Sequence, residues 1–454
     1  MKEKTENIND NLTLRKKFIK YLLPSVAAMW VFSLYTMIDG IFVSRGVGPV
    51  ALAAVNISMP FVNFIFALSM LFSTGVSTVI AIYLGQKKLD KAREAFSFNM
   101  LCIIVVSISI TIISLINIDK ITLFLGATDA TFQLVKDYLK IIMIFNAFFI
   151  ISYCLEVLSK TDGFPHLAIM GMIISALTNI VLDFIFVILL GFGIKGAAFA
   201  TIISQGVSCL FFLIHFLSSR GKLQFVKFKI NFEMLKRILY IGFPDAITEL
   251  TSGVVILLFN QTILKYIGED GIITYSIISY VNTLVIMTMI AITQGMQPLS
   301  SYHYGKNENN VVKKLLKMSI KTIAFSSIFI FILCTVFANP IVSIFLKGQS
   351  PELFTYSVSS FRIFSITFLV LGFNVLTSGY FASIEKPFDA TIISLSRGLV
   401  LITIVLIAMT SLFGEKGIWI STLISELLCL IISITLLYKN KLSFKKHLIK
   451  PFDI

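Results

Sequence analysis

Four polar residues of this 454-residue chain stand inside long apolar stretches. Asp39 and Asp183 are acids, and an ionised carboxylate in such a setting costs a few kcal/mol, so each needs a reason. Asn179 lies one helical turn before Asp183 on the same face, and Thr201 belongs to the next stretch. Close carboxylates can load and release a proton, and the four side chains together offer hard oxygen ligands for Na⁺. The set therefore predicts a site for H⁺ or Na⁺.

The depths of these residues along their helices indicate that they can meet. Asp39 lies six residues before Arg45, about 9 Å from that helix end. Asp183 and Thr201 each lie about 12 Å from the same side, counted from Gly191 and from Gly193. The plainer alternative is a buried acid pair satisfied by helix-end amides and water, and the sequence leaves it open.

The elements that carry these residues are membrane-spanning helices. The chain is 57% hydrophobic and 14% charged, whereas a soluble domain is about a quarter charged. Stretches of roughly 20 apolar residues, enough to cross a bilayer, occur twelve times. They lie at residues 18–43, 51–83, 95–118, 139–159, 167–191, 195–217, 238–266, 271–303, 315–338, 360–384, 389–412 and 416–438. The polar start of the chain has no small-residue cleavage site, so we expect no cleavable signal peptide.

The net charge of +14 follows from topology. With both ends cytoplasmic, 29 of the 38 Lys and Arg residues fall on the cytoplasmic side and 9 on the other. This is the positive-inside pattern. We therefore expect a multi-pass protein of the cell membrane, in contact with lipid, with cytoplasmic N- and C-termini. The distribution argues against a nucleic-acid partner.

The chain contains an internal repeat of about 220 residues. "FGIKGAAFATIISQ" from Phe192 and "FGEKGIWISTLISE" from Phe413 share seven of fourteen positions. Pro24 and Pro244 are 220 apart, as are three pairs of glycines. Six spans per repeat is an even number, so the repeats are parallel. The sequence predicts an all-α polytopic membrane protein with two six-helix lobes. The predicted segments are a cytoplasmic tail (1–14), an N-lobe (15–217), a cytoplasmic linker (218–237), a C-lobe (238–438) and a cytoplasmic tail (439–454).

The repeat also serves as a control for the buried acids. Asp39 corresponds to Phe259 or, with a one-residue slip, to Asn260. Asp183 corresponds to about Ile404 or Val405. Since the second lobe forms without these acids, the fold does not require them, and a functional role is favoured.

The chain resembles the multidrug and toxic compound extrusion (MATE) family over nearly its whole length. Asp39 in "MIDGIFVSRGVGPVALAAVN", the pair in "NIVLDFIF" and Thr201 in "GAAFATIISQ" match the first-lobe cation site of the family's bacterial DinF-like branch. "GFPDAITELTSGVVILLFN" is most similar to the MepA-type multidrug exporters. The resemblance implies two lobes around a central cleft, and export of bulky, often cationic compounds against inward H⁺ or Na⁺ by alternating access. The second-lobe acids of the NorM-like branch are not clearly matched, since Asp245 and Glu249 cannot be placed in that register.

Other buried polar residues are candidates for substrate contact. Glu249 and Glu426 lie about 18–20 Å along their helices, near the midplane, where carboxylates facing a cleft would select cations. Pairing of each within its own lobe is the equally weighted alternative. Tyr35 and Met37, close to Asp39, are candidate cleft residues. Arg362, Arg397 and Glu156 are placed nearer the membrane boundaries, where inter-helix pairs or snorkelling are expected.

Two competing functions can be weighed on the same residues. An intramembrane enzyme lacks support because the four histidines are scattered and no phosphate-binding loop or nucleophile elbow is present. A flippase for lipid-linked precursors would line its cleft with several bases for phosphate, whereas this chain places acids at midplane depth. We expect no cofactor beyond the coupling ion, no metal beyond Na⁺ at that site, small organic cations and other drugs as substrates, and a monomer.

Overall fold

A computed structural model describes residues 2–218, 220–346 and 350–447. Within these residues the side chains of 2–11, 37, 40, 44, 49, 52 and 441–447 are outside the description. The regular secondary structure of the described residues is helical, without strands. The side chain of Met37, a predicted cleft residue, and the last residues of the predicted C-terminal tail therefore lie outside the described part.

The described residues of the first half form seven α-helices. They are α1 (Lys2–Gly46), α2 (Pro49–Gly85), α3 (Leu89–Ile116), α4 (Ile118–Phe124), α5 (Phe132–Thr161), α6 (Pro165–Asp183) and α7 (Gly193–Leu217). Those of the second half form nine. They are α8 (Phe232–Tyr266), α9 (Glu269–Gly305), α10 (Asn309–Val336), α11 (Ala338–Phe345), α12 (Pro351–Ser365), α13 (Leu371–Ser383), α14 (Pro387–Leu395), α15 (Leu401–Phe413) and α16 (Glu415–His447).

Among the described residues, twelve helical segments are long and apolar enough to cross a membrane, and they match the twelve predicted stretches. The fifth span joins α6 to a π-helical segment, Phe184–Leu189. The tenth joins α12 to α13 through a 3₁₀ segment, and the eleventh joins α14 to α15 through a π-helical segment, Ser396–Val400. The all-α, twelve-span prediction is confirmed.

The internal repeat is visible in the backbone. Gly48 and Gly268, which separate the first two spans of each half, have φ of 116° and 97°. Lys87 and Asn307 both have φ of 59° although neither is glycine. A left-handed residue at the same place in each repeat means that the two halves turn corresponding corners in the same way.

The structure divides into two compact units. Unit 1 comprises Met1–Leu250 and Gln294–Leu315, and unit 2 comprises Thr251–Thr293 and Leu316–Ile454. These boundaries cut through α8, α9 and α10, so the units do not coincide with the lobes predicted from the repeat. The repeat records similarity of sequence, whereas the units record which residues pack together.

Unit 1 includes parts of α8 and α9 because glycines let them approach its N-terminal helices closely. A Cβ at Gly85 would collide with the backbone of Tyr302, and one at Gly305 with the backbone of Ile82. Gly242 is packed in the same way against Leu71. Unit 1 therefore has tightly packed α2–α9 and α2–α8 contacts.

Candidate functional site

Asp39 and Asp183 come together in unit 1. Asp39 is on α1 and Asp183 is the last residue of α6, and the two helices pack side by side. The two carboxyl groups interact directly with each other. Asp183 is fully buried, with 0% of its surface exposed. Two acids from different helices thus form a single titrating unit.

The pair is short of protein partners. Among the described residues, Asp39 Oδ1, both carboxylate oxygens of Asp183 and both amide atoms of Asn179 are buried without a hydrogen-bond partner. Most buried polar atoms in native proteins have one, so each exception needs an explanation. We call Asp39, Asn179 and Asp183 the acid cluster. Its unsatisfied oxygens and amide are available to a proton, a cation or water.

Thr201 lies on α7, which packs against α6. Its hydroxyl donates to the carbonyl of Ala197, one turn earlier, at 3.0 Å. The Thr201 oxygen therefore has its proton committed to its own helix and keeps its lone pairs for an incoming cation. Two carboxyls, one amide and one hydroxyl are chemically suited to Na⁺ as well as to H⁺.

Two tyrosines extend the acid cluster. Tyr35, one turn before Asp39 on α1, is 7% exposed and interacts electrostatically with both carboxyls. Tyr138 on α5 is 4% exposed and does the same. Tyr35 was predicted from its place near Asp39. Tyr138 was not, because no spacing in the sequence relates α5 to α1.

The backbone changes form immediately after Asp183. The π-helical segment Phe184–Leu189 begins at the next residue. π-Bulges are often found at functional sites because the extra residue per turn redirects side chains and backbone groups. Here the bulge lies where the fifth span carries its only acid.

Glu426 belongs to a different kind of cluster, in unit 2. Its Oε1 accepts from Arg397 Nε at 2.7 Å, and its Oε2 accepts from Asn374 Nδ2 at 2.7 Å. The side-chain oxygen of Asn374, Oδ1, in turn accepts from the Ser433 hydroxyl at 2.9 Å. We call these four residues the Glu426 cluster. Both carboxylate oxygens are engaged, which favours a structural role over the predicted substrate contact.

This pairing gives Arg397 a partner on another helix. Arg397 follows the start of α14 by ten residues, about 15 Å along the span, and its guanidinium donates to the Glu426 carboxylate. The expectation of an inter-helix pair is confirmed. Arg362 also contacts another helix, donating from Nε to the Thr335 carbonyl at 3.4 Å.

Asp245 and Glu249 lie on the part of α8 that belongs to unit 1. Asp245 interacts with the side chains of Thr74 and Gln297. Glu249 is half-buried and acts electrostatically on Tyr153 of α5. The structure therefore brings both acids to the N-terminal helices of unit 1 but does not join them to the acid cluster.

A buried ion pair near the end of α5 was missed. Lys160 Nζ lies 3.2 Å from Glu156 Oε1, and the two side chains are 1% and 4% exposed. Lys160 also donates to Gln294 Oε1 at 3.2 Å, and Gln294 donates to the Tyr153 hydroxyl at 3.1 Å. The i,i+4 spacing of Glu156 and Lys160 was the available signal.

The twelve apolar helical segments of the described residues define a multi-pass membrane protein. No group of three or more His, Cys, Asp or Glu residues suited to a metal occurs in the described part of the chain. The family model of MatE matches residues 24–185 and 244–409, one segment in each repeat. The chain belongs to the MatE family, whose members are transporters.

Individual proteins agree with this assignment. The multidrug export protein MepA of Staphylococcus haemolyticus (strain JCSC1435) is 28% identical over 439 residues, covering 95% of each chain. A crystal structure of MATE in complex with MaL6 superposes with a TM-score of 0.91 at 23% identity, covering 95% of this chain and 97% of that one. The outward-facing structure of a multidrug resistance MATE family transporter of the MOP superfamily superposes with a TM-score of 0.90 at 24% sequence identity, and the same shares of the two chains are covered. At these identities the two structures establish the fold.

Proposed function

We propose that this chain is a secondary active multidrug exporter. It antiports bulky, often cationic organic compounds against inward H⁺ or Na⁺ by alternating access of its two lobes. The observation that carries the proposal is the acid cluster, in which one oxygen of Asp39, both oxygens of Asp183 and the Asn179 amide are buried without a hydrogen-bond partner among the described residues. A buried acid pair is costly to maintain, and in transporters such groups mark ion pathways.

The acid cluster can couple ion binding to conformation because its charge changes when the ion binds. With both acids ionised, their like charges repel each other. The Asn179 amide nitrogen makes no hydrogen bond to either carboxylate that would offset this repulsion. A proton shared by the pair, or a Na⁺ held by the carboxyl, amide and Thr201 oxygens, removes that repulsion. Binding therefore favours closer packing of α1 and α6, and ion release favours the reverse.

The substrate class follows from the relatives. The similar staphylococcal proteins are multidrug export proteins, and we extend that activity to this chain. Glu249, Tyr35 and Met37 remain the proposed substrate contacts. Glu426 is reassigned to structural support, because Arg397 and Asn374 already bond its carboxylate. The 29-to-9 split of basic residues supports cytoplasmic termini, and the single-chain repeat supports a monomer.

A lipid-linked precursor flippase is disfavoured by the state of the bases within the membrane-spanning helices. Lys160 is paired with Glu156, Arg397 with Glu426, and Arg362 donates to a carbonyl. A phosphate carrier would need such bases to be available, whereas the unpartnered groups are acidic and would attract cations.

Efflux from proteoliposomes under separately imposed pH and Na⁺ gradients tests the proposal. Ethidium efflux should follow one of these gradients in wild-type protein and be absent from protein-free vesicles. Efflux that ignores both gradients, or transport of a lipid-linked sugar instead of ethidium, would overturn it.

A further inference from the structure

The acid cluster is continued by a line of polar residues along one face of α6. Gly171, Ser175, Asn179 and Asp183 follow one another at i,i+4 spacing and are all buried. Successive members are about 6 Å apart along the helix. Ser175 is 2% exposed, and its hydroxyl has no hydrogen-bond partner among the described residues. The polar face thus extends about 12 Å from Asp183 toward the start of α6.

Ser175 opens into an internal cavity of unit 1. The cavity has a volume of about 30 Å³ and is bounded by aromatic and methionine side chains. Its polar lining comes from Ser152, Glu156, Ser175, Gln205 and Ser208. A polar cavity needs only about 10–15 Å³ of such volume to hold a water molecule. The space therefore suits one or two waters bonded to these side chains.

A second connection joins the acid cluster to the same cavity. Tyr35 interacts with both carboxyls and also contacts the Gln205 side chain, which lines the cavity. Across the cavity, the Ser152 hydroxyl donates to that of Ser208 at 3.0 Å. Hydroxyl groups both donate and accept, so they can pass a proton by rotating.

The far end of the cavity is Glu156. Its carboxylate lines the cavity and is held by Lys160, whose ammonium also donates to Gln294. Glu156 lies five residues before the end of α5, about 8 Å from that end. A chain of polar groups thus runs inside unit 1 from Asp39 and Asp183 to the end of α5.

We propose that this polar column is the route by which a proton moves between the acid cluster and Glu156, and so to the side of the membrane where α5 ends. The inference rests on the proposed coupling role of Asp39 and Asp183, and it names H⁺ as the coupling ion. A proton leaves the Asp39–Asp183 pair, passes through water and hydroxyl groups in the cavity, and is accepted by the Glu156 carboxylate. Na⁺ cannot move by this relay, because a metal ion has to travel as a whole and cannot be handed on by the rotation of hydroxyl groups as a proton can.

Filling the cavity tests the route. Ser175→Val removes the hydroxyl and adds a methyl group, while Ser175→Ala leaves room for a water in its place. Ser58→Val is the matched control, since Ser58 is a fully buried serine of α2 whose hydroxyl bonds its own helix at 2.9 Å. Internal pH and ethidium efflux are measured together in proteoliposomes, with ethidium affinity measured on purified protein.

We expect Ser175→Val to slow pH-driven efflux about tenfold or more, because a relay step is lost, with ethidium affinity unchanged. Ser175→Ala, which also removes the hydroxyl but leaves room for a water molecule, should lie between Ser175→Val and wild type. Ser58→Val should transport at the wild-type rate. Equal rates for Ser175→Val and Ser58→Val would overturn the route. If Ser175→Val does not fold, Glu156→Gln tests the route instead. It removes the carboxylate that accepts the proton, so we expect it to slow pH-driven efflux to a similar degree, and a wild-type rate would overturn the route.

Failure of this route is distinguishable from failure of the coupling site. If Asp39→Asn is inactive and Ser175→Val is active, the coupling site is supported and only the proton route is wrong. Efflux driven by a Na⁺ gradient alone would also contradict the proton route without contradicting the coupling site. An Asp39→Asn protein that transports normally removes the coupling site itself.

Discussion

The acid cluster of unit 1 and the Glu426 cluster of unit 2 bury carboxyl groups in opposite ways. Asp183 is fully buried and neither of its oxygens has a protein hydrogen-bond partner among the described residues. Glu426 is 6% exposed, and a guanidinium and an amide occupy its two oxygens. Similar burial therefore goes with opposite degrees of satisfaction. The difference separates an acid that is available to an exchanging ion from one that holds helices together.

The comparison teaches that midplane depth alone does not identify a working acid. Glu426 and Asp183 both lie well inside their spans, and both have a polar neighbour on another helix. Only the arrangement of partners distinguishes them. A paired carboxylate stabilises one structure, whereas an unpaired one stabilises different structures according to whether an ion is bound. Substitutions that remove the charge or the partner of each acid should therefore have different effects in the two clusters.

The largest effect is expected at Asp183. Asp183→Asn should reduce gradient-driven efflux by about a hundredfold or more, because an amide neither takes up a proton nor attracts Na⁺ as a carboxylate does. The double variant Asp39→Asn/Asp183→Asn should be hardly worse, since the two acids act as one unit. Initial efflux rates per inserted protein measure this. Additive losses in the double variant would mean that the acids work separately.

Removing the base of the Glu426 cluster should affect folding instead. Arg397→Met leaves a buried carboxylate without its ionic partner, and breaking such a pair costs about 3–5 kcal/mol. The double variant Arg397→Met/Glu426→Gln should recover much of this stability. Thermal unfolding in detergent measures both, with Arg362→Met as the control because Arg362 is exposed and donates to a backbone carbonyl at 3.4 Å. Equal losses for Arg397→Met and Arg362→Met would show that the pair carries no special weight.

Much of this comparison could be predicted from the sequence. The spans followed from apolar length, and the meeting of Asp39 and Asp183 followed from their similar depths in spans running in the same direction. The Arg397–Glu426 pair could not be placed, because depth counts omit the reach of a guanidinium and the rotational register of two helices. Tyr138 and the cavity at Ser175 depend on packing between helices that no spacing relates. The structural units differ from the repeat for the same reason.

An intermediate effect at Asn179 and Thr201 distinguishes the coupling ions. Asn179→Ala and Thr201→Ala should each lower efflux only a few-fold if H⁺ is used, because the carboxyl pair alone can hold a proton. If Na⁺ is used, each should nearly abolish efflux, because a metal ion needs its full oxygen shell. Initial rates under pH and Na⁺ gradients measure this. Full activity of both variants would remove these two residues from the site.

The smallest effect is expected at a partly exposed acid outside the spans. Glu308 bonds Lys306 at 2.7 Å and His303 at 2.5 Å. The hydrogen bond from Lys306, followed by the contact with His303, lowers the pKa of Glu308 below 4.5. A lowered folded pKa adds stability that is present above the unfolded pKa and is lost as the pH falls through the folded value.

Wild type should therefore exceed Glu308→Gln in stability near neutral pH by about 0.5 kcal/mol or less, since the pair is partly exposed. This difference in stability should vanish once the pH falls below the pKa of Glu308 in the folded protein. Thermal unfolding of both proteins, from neutral pH down to that acidic pH, measures the difference. A difference that stays constant with pH would show that the carboxylate charge is not its source.

A side-by-side comparison of Asp39→Asn and Glu426→Gln tests whether Asp39 couples ion movement to export. Ethidium efflux per folded protein and the midpoint of thermal unfolding are measured for both variants in one preparation. Asp39→Asn should lose coupled efflux and keep its unfolding midpoint, because its repeat counterpart is Phe259 or Asn260 and that half still folds. Glu426→Gln should unfold at a lower temperature, and its folded fraction should still transport. An Asp39→Asn protein that transports at wild-type rates would contradict the account, because Asp39 would then be a buried acid without a coupling role.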